Sequence, residues 1–158
     1  SLTKEKANLK ALVENTDDAI WSVNRRFEVM VLNVTAQQAF GLLYGQELQI
    51  GDEILDKIPR EEAVLWRALY DKALAGGRFR REFHFNQTGQ DFYFDISFNA
   101  IANERGHVAG VSVFARNITE KKLAENQLVK ANFELDSFVY RASHDLRAPL
   151  RSVLGLLN

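Results

Sequence analysis

Hydrophobic and polar residues alternate strictly in the second half of the chain. In DFYFDISFNA, from Asp91 to Ala100, every second residue is apolar, which is the pattern of a strand with one buried face and one face in water. The sequences NQTG and NERG supply turns on either side of this run. The pattern therefore predicts a three-stranded antiparallel meander. The outer two strands contribute apolar residues at even spacing: Phe79, Phe83, Phe85, Val111, Val113 and Ala115.

Before the meander, the pattern predicts two more strands and several helices. The runs AIWSVN, residues 19–24, and FEVMVLN, residues 27–33, are rich in β-forming residues and are separated by the length of a tight hairpin. The order of two strands, helices and three further strands predicts an α+β fold, a five-stranded antiparallel sheet with helices on one face.

Three helices are predicted around these strands. An amphipathic helix over residues 1–14 should pack its leucines against another surface. A short helix, TAQQAFGLL, can be capped by Asn33 or Thr35 and ends at Gly45. A longer helix begins after Pro59, has acidic residues in its first turn and stops at two glycines.

A much longer helix is predicted after the last strand, because no Gly or Pro occurs between Thr119 and Pro149. Its apolar residues recur at steps of four and three, the a/d seam of a coiled coil, which predicts a parallel homodimer. Successive steps of four around His144 form a stutter, which locally unwinds a supercoil. His144 is then on the side of the helix opposite the seam and in water. The seam residues are Ala124, Leu128, Ala131, Leu135, Phe138, Ala142, Leu146, Leu150, Val153 and Leu157.

Composition narrows the possible functions. The formal net charge of the 158 residues is -1, which gives no general attraction to nucleic acid. No apolar run of about 18 residues is present, so no transmembrane segment is predicted. The chain has no cysteine, which excludes disulfides, thiolate metal sites and cysteine nucleophiles. Because it begins without Met and stops within an apolar helical pattern, we expect it to be a piece of a longer protein.

Residues 15–118 resemble a PAS domain, a sensor module with this order of strands and helices. RNITEKK, from Arg116 to Lys122, resembles the Asp-Ile-Thr signature that closes the last strand of that family and opens an exit helix. Asn117 replaces the usual Asp and cannot form an ion pair. The resemblance implies a sensory role, with a small-molecule ligand as one possibility.

The ligand of such a sensor is not identified by the sequence. Trp21, Phe94 and Phe98 could line a cavity, although aromatic residues on the apolar face of a sheet are more often plain core. The absence of cysteine excludes the covalent flavin chemistry of light-sensing relatives. Haem-binding relatives usually take their ligand from the helix that follows Pro59 here, and Arg60 to Ala75 contains no histidine. His84 and His107 are expected at the surface.

The segment FVYRASHDLRAPLRSVLGLL, from Phe138 to Leu157, resembles the H-box of sensor histidine kinases. This resemblance implies that His144 accepts a phosphoryl group, that Asp145 is the general base and that Pro149 bends the helix. A neutral imidazole can attack a γ-phosphoryl group, and a neighbouring carboxylate can accept the ring proton. The basic residues nearby are expected to be a solvated helix face, with contact to a phosphate or to an acidic partner as the alternative: Arg141, Arg147 and Arg151.

These observations predict four segments: an amphipathic helix over 1–14, a PAS sensor over 15–118, a coiled-coil signalling helix over 119–137, and an H-box that begins a dimerisation domain over 138–158. We expect the sensory and dimerisation portion of a cytoplasmic two-component histidine kinase, with a second copy and a response regulator receiver domain as partners. The alternative is a ligand-binding or protein-interaction scaffold without phosphotransfer. No metal or cofactor is predicted here, because ATP and Mg²⁺ would bind a separate catalytic domain, without which the chain should be inactive.

Overall fold

The computed structural model describes residues 1–157, with side chains through residue 155. Two predictions therefore extend beyond the described residues. They are the place of the Leu157 side chain in the seam and the last residue of the 138–158 segment. The chain forms two compact units, Ser1–Thr119 and a second that begins at Glu120. Among the described residues, no helix combines the length and apolarity needed to cross a membrane.

The first unit is an α+β fold, as predicted. The elements of the chain are α1 (Leu2–Glu14), β1 (Ala19–Asn24), β2 (Val29–Leu32), α2 (Val34–Tyr44), a 3-10 helix (Ile54–Lys57), α3 (Arg60–Leu74), β3 (Arg78–Gln87), β4 (Gln90–Ala102), β5 (Val108–Asn117) and α4 (Thr119–Leu157). The five strands form one antiparallel sheet in the order β2-β1-β5-β4-β3. The helices α2 and α3 and the 3-10 helix lie between the second and third strands in sequence; α2 packs on β1, and α3 packs on β4 and β5.

The core lies between the sheet and these helices. Along β4, Phe92, Phe94, Ile96 and Phe98 are all buried, which confirms the alternation read from the sequence. Aromatic rings fill much of the space, and Trp66 of α3 stacks on Phe83 at 5.1 Å between ring centroids. One face of the sheet is therefore covered and the other carries the polar residues of the alternating pattern.

The first hairpin differs from its prediction. The second strand begins at Val29, whereas the sequence predicted a strand from Phe27 after a two-residue turn. Phe27 has a left-handed backbone with φ of 60°, and the side chain of Asn24 accepts hydrogen bonds from the amides of Arg26 and Glu28. The ring of Phe27 is buried beside Tyr70, at 5.7 Å between centroids. Burial of this ring holds the connection in a conformation that a bulky residue rarely adopts.

The helix predicted at the N-terminus is present, but no surface in the described part of the single chain covers its leucines, so their packing against another surface stays a prediction. Leu2, Leu9 and Leu12 are all exposed, and α1 buries no residue fully. The helix is fastened through its last turn instead. The carbonyl of Val13 accepts a hydrogen bond from Asn33 Nδ2, and the carboxylate of Glu14 accepts one from the amide of Val34.

Asn33, rather than Thr35, caps α2. Its Oδ1 accepts hydrogen bonds from the amides of Ala36 at 2.8 Å and Ile20 at 2.9 Å. Its Nδ2 donates to the carbonyls of Val13 and Asp18, both at 2.9 Å. The residue is 1% exposed. Its side-chain amide is therefore shielded from water and joins α1, β1 and α2 through four hydrogen bonds.

Candidate functional site

His144 lies on an uninterrupted helix and faces water. Its side chain is 70% exposed and that of Asp145 is 82% exposed. Nδ1 of His144 is 3.8 Å from Oδ1 of Asp145, which is longer than a hydrogen bond. Neighbouring residues of a helix do not face each other, so this approach brings the carboxylate near the ring without bonding to it. A hydrogen bond between the two side chains therefore requires a different rotamer or a local distortion of the helix.

Pro149 lies inside α4, and the helix continues through it. Proline has no amide N–H, so the carbonyl four residues earlier, that of Asp145, loses its usual helical donor. The weakened turn therefore begins at the residue next to His144. Its position agrees with the stutter found in the apolar spacing.

The apolar residues of α4 form a stripe that nothing in a single copy covers. We call Leu128, Leu135, Phe138, Leu146, Leu150 and Val153 the α4 stripe; each is more than half exposed. Small residues of the predicted seam separate them, including Ala131 and Ala142. The nearby Arg141, Arg147 and Arg151 are also exposed, and Arg141 donates to the carbonyl of Ser137. These arginines fit a solvated face.

The first unit contains an apolar cavity of about 60 Å³ between its sheet and helices. Trp21 and Phe94 line it, which is the less favoured of the two alternatives that the sequence left open, whereas Phe98 belongs to the neighbouring core and packs on Phe79. The indole N–H of Trp21 donates to the hydroxyl of Tyr70 at 3.0 Å. Burial raises the pKa of Tyr70, so this hydroxyl stays protonated within the cavity wall.

A second hollow, a polar cleft of about 580 Å³, lies at the surface of the same unit. The hydroxyl of Tyr44 donates to Oε2 of Glu62 at 2.6 Å. Burial, followed by the hydrogen bond to that carboxylate, raises the pKa of Tyr44. Sequence reasoning missed this cleft, because its walls come from α2, the 3-10 helix, α3 and β3 and share no motif.

His84 and His107 are exposed, as predicted. His84 stacks on Tyr93 with 4.5 Å between ring centroids and is 2.7 Å from Asp91. The hydrogen bond from His84 lowers the pKa of Asp91. Among the described residues, no group of three or more His, Asp or Glu side chains is arranged to hold a metal ion.

Asn117 forms two side-chain hydrogen bonds at the start of α4. Its Oδ1 accepts from the amide and the hydroxyl of Thr119, at 3.0 and 2.6 Å. The hydroxyl oxygen of Thr119 accepts from the amide of Tyr93 at 2.9 Å, and the amide of Ile118 donates to the carbonyl of Tyr93. Asn117 thus carries no charge but holds Thr119, which together with Ile118 links the signature to β4.

Comparisons with known proteins agree with this architecture. The PAS fold family model matches residues 7–118. The chain is 26% identical over 149 residues to the sensor protein kinase WalK of Staphylococcus saprophyticus; the match covers 94% of this chain and 22% of that protein. The chain thus spans about a fifth of the length of this relative.

Two solved structures share the fold. The PAS domain of Bordetella pertussis BvgS is 15% identical with a TM-score of 0.56, and the match covers 82% of this chain and 96% of that one. A sensory box sensor histidine kinase from Vibrio cholerae is 18% identical with a TM-score of 0.51, covering 75% of this chain and 92% of that one.

Proposed function

The chain belongs to the PAS fold family, whose model matches residues 7–118, and we propose that it is the sensory and dimerisation portion of a two-component sensor histidine kinase. In this proposal residues 15–118 are the sensor, 119–137 a coiled-coil signalling helix, and 138–158 the beginning of the domain that is phosphorylated. A signalling role follows from the PAS domain and its resemblance to those of histidine kinases. We propose in addition that His144 is the residue that accepts the phosphoryl group.

This proposal rests on the exposure of His144 on a helix whose opposite side carries the uncovered α4 stripe. Two copies joined along the α4 stripe would bury its leucines and Phe138 and leave His144 on the outer side of the pair. A buried Phe side chain contributes roughly 1.5 to 3 kcal/mol per chain. Dimerisation therefore stabilises the helix and keeps the imidazole accessible to a kinase domain and to a response regulator receiver domain.

The reaction assigns a separate task to each nitrogen of the ring. With the proton on Nδ1, the lone pair of Nε2 attacks the γ-phosphorus of ATP. A P–N bond forms as the bond to the bridging oxygen breaks, and ADP leaves. The Nδ1 proton passes to Asp145, whose Oδ1 starts 3.8 Å away. ATP and Mg²⁺ are supplied by a separate catalytic domain, since the H-box residues contribute only the nucleophile and base.

The test is phosphorylation by the parent kinase, or by a histidine kinase catalytic domain added to this chain, with labelled ATP. We expect a phosphoramidate that is stable in base and lost in acid. His144→Gln should abolish the label, whereas His84→Gln and His107→Gln, the matched exchanges at the other exposed histidines, should retain it. Asp145→Asn should slow labelling by about 10² to 10⁴, the range attributed to general bases. Labelling of His144→Gln at the wild-type rate would refute the assignment.

A scaffold without phosphotransfer is the second candidate. The uncovered leucines of α1 and the α4 stripe favour it, because exposed apolar faces of this kind serve assembly in any context. A dimer that forms normally but never accepts phosphate at His144, even with an active catalytic domain present, would establish the scaffold instead.

A further inference from the structure

The polar cleft and the apolar cavity of the first unit are neighbours that share a wall. Leu43, Tyr44, Ile58 and Phe85 line both of them. Each of these four side chains is partly exposed. Movement in this wall would therefore join the two spaces without unpacking the fully buried core.

Tyr44 is the part of the wall with a polar anchor. It is the last residue of α2, and the left-handed Gly45 follows it directly. Its ring lines the cavity while its hydroxyl donates to Glu62 in the cleft, at 2.6 Å. Tyr44 thus places an apolar ring in the cavity and a hydrogen-bond donor on a carboxylate. A small organic amine, with an apolar body and an ammonium group, could make the same two contacts.

The charges of the cleft favour a cation. Its ionisable groups besides Tyr44 are Asp56, Lys57, Glu62 and His84. Both basic groups are already engaged by carboxylates outside the cleft, Lys57 by Asp52 at 3.6 Å and His84 by Asp91 at 2.7 Å. The side chain of Asp56 forms no hydrogen bond or ion pair with any residue that the structure describes. Two carboxylates therefore remain for a ligand, one of them held by Tyr44.

We propose that the cleft binds a small organic amine whose ammonium group replaces the Tyr44 hydroxyl on Glu62 and whose apolar body enters the cavity as Tyr44 turns aside. The inference rests on the proposed sensory function and names a ligand class for it. The cavity alone, at about 60 Å³, is smaller than the ~300 to 1,000 Å³ of ordinary ligand pockets. The ligand must therefore occupy space that the Tyr44 ring now fills.

Tryptophan fluorescence reports on this site directly, because both tryptophans of the chain, Trp21 and Trp66, line the cavity. The probe is 2-phenylethylamine, compared with the neutral 2-phenylethanol and the anionic 3-phenylpropionate, which have bodies of similar size. We expect a saturable fluorescence change with the amine at a concentration at least about tenfold below that needed for either analogue, a difference within the range of a charge-assisted hydrogen bond. Equal responses to the three probes, or none to the amine, would overturn the proposal.

Substitutions of Glu62 and of Tyr44 test the roles of the carboxylate and of the wall between cleft and cavity. Glu62→Gln should weaken amine binding by at least about tenfold, whereas Glu61→Gln, an exposed neighbour outside the cleft, should leave it unchanged. Tyr44→Phe removes the bond that closes the wall and should tighten amine binding about tenfold. If circular dichroism shows that Glu62→Gln does not fold, Asp56→Asn replaces it, with a loss of amine affinity expected. Unchanged affinity in the carboxylate variant and in Tyr44→Phe would refute the site.

The two proposals fail separately. Phosphorylation of His144 together with no response to the amine would remove this ligand site and leave the kinase assignment in place. Amine binding by a chain whose His144 never accepts label would remove the kinase assignment and leave the ligand site in place.

Discussion

Replacing Asn33 by Ala tests the junction of α1, β1 and α2. The exchange removes all four side-chain hydrogen bonds of a residue that is 1% exposed. Loss of the helix cap costs about 0.5 to 2 kcal/mol, and the part-buried amide of Ile20 left without an acceptor costs about 1 to 3 kcal/mol. With the carbonyls of Val13 and Asp18 also deprived, we expect a total loss of about 3 to 5 kcal/mol in the free energy of unfolding.

Asn33→Asp separates the cap from the rest of the junction. Asp caps a helix about as well as Asn, so a purely local role predicts little change. The structure instead places the Nδ2 position between two carbonyl oxygens, those of Val13 and Asp18. A carboxylate oxygen there donates nothing and repels both, so we expect a loss of at least about 2 kcal/mol.

Urea unfolding followed by tryptophan fluorescence measures these losses, since Trp21 and Trp66 both belong to the first unit. Asn8→Ala, at an exposed position of α1, is the control and should change stability by less than about 0.5 kcal/mol. A loss below about 1 kcal/mol for both Asn33 variants would show that the four bonds do not act as described.

Gly110, the two buried tyrosines and Phe138 provide three further tests. Gly110→Ala should destabilise the first unit by about 1 to 3 kcal/mol, because its Cβ would lie 2.3 Å from the carbonyl oxygen of Val23; a thermal midpoint equal to wild type would contradict this. The raised pKa of Tyr70 and Tyr44 means that the unfolded state loses their protons first, so stability present below about pH 10 should fall above it, by about 1.4 kcal/mol per pH unit for Tyr70. Tyrosinate absorbance should show both residues ionising only as the fold is lost. Phe138→Asp should convert a dimer to monomer in sedimentation equilibrium, and a wild-type monomer at high micromolar concentration would refute the dimer.

Regular patterns in the sequence predicted the sheet well. The strict alternation along β4 identifies which of its residues are buried, because successive side chains of a strand point to opposite faces of the sheet. Helical periodicity places His144 opposite Ala142 and Leu146, and this direction stays a prediction because Leu146 is exposed as well. Both inferences depend on local geometry that repeats along the chain.

Features that depend on distant contacts were not predictable. The left-handed Phe27 became visible only with Tyr70 in place beside it, because a β-rich run alone predicts an extended residue. The bond between Tyr44 and Glu62 joins two helices whose sequences show no sign of each other. The leucines of α1 are exposed in the single chain, because an amphipathic pattern indicates that a face can be buried and does not identify the surface that buries it.

The strand order also determines how the sheet meets other chains. Strands at the edge of a sheet have unpaired backbone groups that can recruit a further strand and begin aggregation. At one edge, the loop after α2 covers β2, with Val29 exchanging backbone hydrogen bonds with Gly51 and Asp52. At the other edge, β3 carries Arg78, Arg80 and Arg81 near its start, so a second copy added there in parallel register would place like charges side by side. The loop thereby protects the β2 edge against fibril-like growth, and the arginines disfavour the parallel stacking of further copies at the β3 edge.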